Sequence, residues 1–392
     1  MRQKQATAEP NQYLIVINNL SFFYSHFWNL AVTVRNAGWN VSIAANQNAS
    51  TDRISENGMT FVSLPQLGGL KNLTKNLQYC FALRRLLLQR QPTVTHFIYL
   101  QNVLLGGIVA RVVGCPAIIG AVTGLGSLFA EDHLHYKIIR RLVMVGIRWG
   151  FTKNNSVMAF ENLDDRRYFV DHGSVEESRT TIIPGAGVAK DEIVPSHVVN
   201  EKPVVLLASR MIRNKGVQEL VNAAVELQNQ RIDFEVWLVG DVDANNPTSF
   251  SAEELNAFGR LGFVKYLGYR RDVAQLLTKT DIFCLPTSYR EGLPRVIIEA
   301  CAAGIAVVTT DMPGCREIIQ DNVNGILVPP RDHDALVRAL ARLLCDPALR
   351  ASMGARGRMI FEEKFTLDAC LRSFNVGYRI LGIPLHLKCE ED

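Results

Sequence analysis

The segment REGLPRVIIEA, residues 290–300, holds two carboxylates eight positions apart, Glu291 and Glu299, with Gly292, Leu293 and Pro294 after the first. Pro294 has a fixed φ and no N–H, which suits the first turn of a helix. Glu291 then lies in the loop before that helix and Glu299 inside it, so two acids from different elements face one cleft. A carboxylate accepts paired hydrogen bonds from a vicinal diol. Upstream, LLASRMIRNKGVQEL ends a buried strand at Ala208 and starts a helix near Gly216, leaving Arg210, Arg213 and Lys215 in the turn. Ligands of open α/β sheets bind beyond the carboxyl ends of the strands, where helix N-termini offer free N–H groups to phosphate oxygens. Each loop alone also fits a solvated surface, with cations left in water, Glu291 a surface charge and Glu299 a capping acid. Together they describe a diphosphate beside hydroxyl groups, as in a sugar nucleotide.

The elements that must position these residues are legible as alternating patterns. Short apolar runs, YLIVIN, VSIAA, FVSL, VTHFIY and AIIGAV, are separated by segments such as 73–89 in which apolar residues recur at helical spacing. The same β-α-β rhythm restarts after residue 200 with VVLLAS, a helix over 217–230, FEVWLVG, VKYLG, IFCLP, the helix near Pro294 and AVVTT. Between them, Pro184, Gly185, Gly187, Pro195 and Pro203 punctuate a polar linker. A chain of 392 residues suits two such domains. Hydrophobic residues at 48% and charged residues at 20% exclude disorder and fibrous repeats. Eight scattered cysteines without a C-x-x-C pair argue for reduced thiols in the cytosol and against a zinc site. The polar N-terminus lacks the apolar core of a signal peptide.

The ordered run SRMIRNKG…VKYLGYRRDVAQLLTKTDIFCLPTSYREGLPRVIIEACAAGIAVVTTDMPGCREII…NGILVPP resembles the C-terminal half of glycosyltransferase family 4, with its E-x7-E signature. The first half is similar more loosely, through FFYSHFWNLA, VTGLGSLF, FENLDDRRYF and IIPGAGV, to a subgroup that extends undecaprenyl-diphosphate-linked sugars in O-antigen, capsule and glycan assembly. The resemblance implies an α/β chain of the GT-B fold, two Rossmann-like doubly wound parallel-sheet domains facing a cleft. Residues 1–190 would bind the acceptor, 191–365 the nucleotide sugar, and a helix within 366–392 would pack back on the first domain.

Carried over by position, the likeness implies that Arg210 and Lys215 grip the donor diphosphate and that Glu291 contacts the transferred sugar. Gly292, Leu293 and Pro294 would line sugar and phosphates, Glu299 would hold the ribose, and Gly268 would border the base. The acceptor site would fall to the first domain, where the residues themselves offer His26, near the end of an element, and Gly124 and Gly126 in the flexible loop VTGLGS; both His26 and His96 also read as structural histidines. The expected reaction is retaining transfer of a hexose or N-acetylhexosamine from a UDP-sugar to a polyprenyl-diphosphate-linked saccharide. No metal, other cofactor or nucleic acid is expected: GDVD, residues 240–243, follows a strand where cations and helix ends replace a metal. Phe27, Ala186 and Ala189 depart from the subgroup, which has an arginine, a serine and an aspartate there. A sugar-nucleotide epimerase and a non-catalytic sugar-nucleotide-binding protein remain as alternatives.

Residues 1–200 carry 19 Lys and Arg against 13 Asp and Glu, while residues 201–392 carry 23 against 25. That surplus fits an anionic partner for the first half. YKIIRRLVMVGIRWG, residues 136–150, reads as a helix with Lys137, Arg140, Arg141 and Arg148 on one stripe and its apolar side in the core. The stripe suits the anionic inner face of a cytoplasmic membrane, where each surface cation is worth about 1 kcal/mol, or else an ordinary solvated face.

Overall fold

The computed structural model describes residues 11–69, 72–129, 134–153, 155–195, 200–243 and 246–388. Two compact units divide the chain between Ala186 and Gly187 and again between Ala369 and Cys370, so the second unit is continuous and the first is not.

The first unit holds β1 (Gln12–Val16), β2 (Asn40–Ala45), β3 (Thr60–Ser63), β4 (Val94–Ile98), β5 (Ala117–Val122), β6 (Ser156–Phe160) and β7 (Thr180–Ile182). They form one sheet in the order β3-β2-β1-β4-β5-β6-β7, every pairing parallel. Strands such as AIIGAV are buried along their whole length, because helices cover both faces of a parallel sheet. The apolar runs marked above omit β6 and β7. In β7 two of three residues are threonines at buried positions, which leaves no hydrophobic signal to read.

Its helices are α1 (Leu20–His26), α2 (Trp28–Asn36), α3 (Asp52–Glu56), α4 (Leu73–Arg90), α5 (Leu100–Val113), α6 (Leu134–Phe151) and α7 (Leu163–Asp171). Helix α5 packs against both α4 and α6. The expectation for α6 needs correction in two respects. Arg140 leaves the basic stripe: its Nε donates to the Leu128 carbonyl at 2.7 Å and its guanidinium lies over the Phe129 ring. The apolar side is only partly core. Val143, Met144 and Ile147 are buried, whereas Ile138, Leu142, Val145 and Trp149 are exposed, because α6 meets α5 along one narrow side.

The second unit holds β8 (Val204–Ala208), β9 (Glu235–Val239), β10 (Val264–Gly268), β11 (Ile282–Leu285), β12 (Ala306–Thr310) and β13 (Gly325–Val328). This sheet is also all parallel, in the order β10-β9-β8-β11-β12-β13. Around it lie α8 (Val217–Asn229), α9 (Ala252–Gly259), α10 (Val273–Leu277), α11 (Arg295–Ala302), α12 (Cys315–Ile318), α13 (His333–Cys345) and α14 (Pro347–Lys364).

Helix α15 (Leu367–Leu381) starts in the second unit, and from Cys370 onward it belongs to the first. There the Tyr378 hydroxyl lies 2.9 Å from that of Tyr13, which in turn meets His96 Nδ1 at 3.1 Å. All three side chains are fully buried, and burial pushes the His96 pKa down to about 3. His96 is therefore a neutral core residue, ringed edge-on by Tyr13, Phe27 and Phe374.

Candidate active site

In the second sheet the strand order reverses between β8 and β11, the position where open α/β sheets leave a crevice at their carboxyl ends. A cavity of ≈ 590 Å³ opens there, lined by the ends of β8, β9 and β10 and by α11. That volume lies within the range of about 300–1,000 Å³ usual for small-molecule sites.

Two glycines let the loops meet. Gly216 caps α8 with φ +81°, and a Cβ on it would stand 2.2 Å from the Pro286 carbonyl oxygen, so the turn after β8 presses directly on the loop after β11. On the other side a Cβ on Gly314 would come within 1.8 Å of the Gly292 oxygen, which lets the loop after β12 brace the backbone beside Glu291. Gly314 falls in the motif MPGCREII; its spacing alone gave no hint of this contact.

Lys215 closes the turn before α8 and is 8% exposed. Its ammonium forms an ion pair with the Glu291 carboxylate, near which the Thr287 hydroxyl also stands. The same ammonium sits 5.6 Å from the centre of the Tyr289 ring. The Arg210 guanidinium lies near the Tyr289 hydroxyl, whose pKa is raised by burial first and by Glu291 second, with Arg210 opposing. Arg210 lines the cavity and pairs with Asp243 at 3.1 Å. Tyr289 thus links the two cations, a connection the sequence pattern did not reveal.

Pro294 takes the N-cap position, one residue before the helical turn expected for it, with φ −65° and ψ 104°. Helix α11 then carries Glu299 into the cavity wall. Glu299 accepts a 2.7 Å hydrogen bond from Arg295 Nε, and Arg295 Nη2 reaches Glu192 at 2.7 Å. Burial raises the Glu299 pKa, Arg295 pulls it back, and Glu192 adds to the rise. Glu299 and Glu291 are thus held by different cations. Gly268 ends β10, its carbonyl accepting from Gly240 N at 2.9 Å, and Tyr269 and Arg270 beside it line the cavity. Leu293 is buried.

Arg295→Gln is expected to raise the donor KM with little change in kcat. Without its cation the carboxyl of Glu299 holds its proton to higher pH, and the charged form is lost as pH falls. A KM penalty that grows as pH falls and shrinks as pH rises is the outcome to look for in steady-state kinetics. A KM that stays at the wild-type value at every pH would contradict it.

In the first unit, the reversal falls between β1 and β4. His26, at the end of α1, stacks on Phe22 with ring centres 3.8 Å apart, and its Nδ1 lies 2.7 Å from Ser25 Oγ. Tyr99 follows β4 with φ +76°, a strained backbone for a non-glycine residue, and its ring centre is 4.8 Å from that of Phe22. Nothing in the residue types signals that strain. Gly124 and Gly126, after β5, both take positive φ. Phe27 is core, packed on His96.

Residues 189–359 match the family model described as glycosyl transferases group 1, and residues 14–154 match the one described as glycosyl transferase 4-like. The protein is a GT-B glycosyltransferase. It is 28% identical over 69% of its length, and 73% of the relative's, to the N,N'-diacetylbacillosaminyl-diphospho-undecaprenol alpha-1,3-N-acetylgalactosaminyltransferase of Campylobacter jejuni. It is 24% identical over 79% of its length, and 81% of the relative's, to the UDP-Gal:alpha-D-GlcNAc-diphosphoundecaprenol alpha-1,3-galactosyltransferase of Escherichia coli. Its fold is shared with sucrose-phosphate synthase from Thermosynechococcus elongatus, with a TM-score of 0.76, 18% identity, and coverage of 95% of this chain and 99% of the other. HepE of Anabaena, solved with UDP and glucose, aligns with a TM-score of 0.69 and 16% identity over 95% and 98% of the two chains. With matches to glycosyltransferase models in both halves, the enzyme reading stands over a non-catalytic binding protein.

Proposed function

We propose that this glycosyltransferase moves a hexose or N-acetylhexosamine, with retention, from a UDP-sugar to a polyprenyl-diphosphate-linked saccharide in the assembly of a bacterial surface polysaccharide or glycan. The observation that carries this reading is the part-buried Lys215–Glu291 ion pair, joined through Tyr289 to Arg210, which lines the same cavity as Glu299. Each cation of this site already holds an acid: Lys215 holds Glu291 and Arg210 holds Asp243. A diphosphate brings two competing charges, so its arrival draws Lys215 and Arg210 onto phosphate and frees Glu291 for the sugar. The free N–H groups at the start of α8 add to the stabilisation of the leaving diphosphate. Glu299, whose carboxylate Arg295 favours against the cost of burial, accepts from the ribose hydroxyls. The acceptor side falls to the first unit, at His26, Gly124 and Gly126, with Phe22 stacked on His26 and Tyr99 next to Phe22. The resemblance to enzymes whose names specify undecaprenyl-diphosphate sugars supports the acceptor class.

The enzyme works at the inner face of a membrane, attracted there by Lys137, Arg141 and Arg148. Incubation with a panel of UDP-sugars and a lipid-linked acceptor extract, read by product mass, tests the proposal. A product one sugar heavier with the anomeric configuration of the donor is expected; conversion of the donor alone, without acceptor, would favour an epimerase.

No metal is needed in this reading, because Arg210, Lys215 and the α8 N-terminus supply the charge. Full activity in excess EDTA is expected. Loss of activity restored by manganese would instead give Asp241 and Asp243 a metal-binding role.

A further inference from the structure

The outer surface of the α4-α5-α6 layer combines exposed apolar rows with positive charge. On α6, Leu134, Ile138, Leu142, Val145 and Trp149 recur at intervals of three and four, and each is 44–75% exposed. On α4, Leu73, Leu77, Phe81 and Leu88 repeat the pattern at 45–69% exposure. With about 100° per residue, each row lies on the side of its helix opposite the buried residues, so both point away from the sheet. Helix α5, between them, exposes Val112.

The three helices carry nine Lys and Arg residues and not one Asp or Glu. Lys137, Arg141 and Arg148 run along one flank of the α6 row, and the exposed Arg84 and Arg85 lie within and beside the α4 row. Soluble surfaces seldom align large apolar side chains in this way, and a patch of this kind marks an interface. Among the described residues no helix is long and apolar enough to cross a membrane, so the rows are not a spanning segment. Apolar side chains bordered by cations and free of carboxylates are the composition of helices that lie in the headgroup region with one face among the acyl chains.

We propose that α4 and α6 insert their apolar rows into the acyl boundary of an anionic bilayer. This deepens the reading of a lipid-linked acceptor: cations draw the protein to the surface, and the leucine and aromatic side chains then keep it there. Two attractions of different origin predict different responses to salt. Electrostatic attraction is screened over a Debye length, whereas the inserted apolar area is not.

The test compares wild type with Ile138→Asp/Leu142→Asp and, separately, Phe81→Asp, by sedimentation with phosphatidylcholine vesicles with and without phosphatidylglycerol. The wild type is expected to bind the anionic vesicles, to keep a salt-resistant bound fraction, and to shift its tryptophan emission to the blue; that shift disappears in Trp149→Phe. The aspartate variants should bind about tenfold more weakly and lose the salt-resistant fraction, with Tm unchanged because these side chains are exposed. Binding by the variants equal to wild type, or full release of wild type by salt, would overturn the insertion. So would a wild-type dimer that the same substitutions split, since the rows would then be a face for a second copy. The vesicle readout needs no acceptor, so it stands even if the lipid-linked substrate proves wrong. If that substrate is right, the variants should retain wild-type kcat on detergent-solubilised acceptor.

Discussion

Glu291→Gln is expected to lower kcat by about 30- to 1000-fold, the equivalent of 2–4 kcal/mol, while circular dichroism and Tm show an intact fold. The amide keeps the shape of the side chain and its contact with Thr287, so the loop braced by Gly314 has no reason to move. What disappears is the negative charge. In the resting site that charge balances Lys215, and in the proposed reaction, once the diphosphate takes over Lys215, it would face the sugar as positive charge grows at the anomeric carbon. The loss should fall on kcat more than on the donor KM, because an interaction strongest in the transition state is the one removed. Wild-type kcat in this variant would remove Glu291 from the reaction.

The second large effect is expected from replacing Arg210 and Lys215 together by alanine. Each charge-assisted contact to a phosphate is worth about 1.5–3 kcal/mol, so either single change should weaken UDP binding by ten- to a hundredfold and the pair by more than either. The two effects need not add. Tyr289 touches both cations, and Lys215→Ala also leaves Glu291 without its partner, so a coupling between the mutations is expected in a double-mutant cycle. Isothermal titration of UDP gives the answer directly. Undiminished affinity in the double variant would place the diphosphate elsewhere.

Most of the fold was legible because parallel strands covered on both faces appear as unbroken apolar runs, and the reading of an α/β chain of the GT-B fold agrees with the two sheets observed. The runs VVLLAS, FEVWLVG and AVVTT coincide with β8, β9 and β12. The threonines of β7 hid a buried strand, because burial there is set by neighbours on the sheet and not by hydrophobicity. The placement of Glu291 in a loop and Glu299 in a helix followed from Pro294 alone. Their partners did not. Lys215 reaches Glu291 across 76 residues and Glu192 reaches Arg295 across 103, distances over which no local pattern carries information. The exposed row on α6 was misread for a related reason: helical spacing locates an apolar side but not what covers it. The strain at Tyr99 is a backbone property that residue type does not encode.

The double crossing of the chain between its units has a consequence for the order of synthesis. The second unit is one continuous stretch, complete once Ala369 has emerged from the ribosome. The first unit is written in two instalments: its strands come before the second unit, yet the Tyr13 hydroxyl, bonded to His96, meets Tyr378 only once the chain has passed the end of that second unit. Domains generally fold as units and in order of emergence during translation. Here all residues of the later-encoded unit are made before the last of the earlier one, so the hydrophobic interior of the first unit cannot close around Tyr378 until α15 has been made.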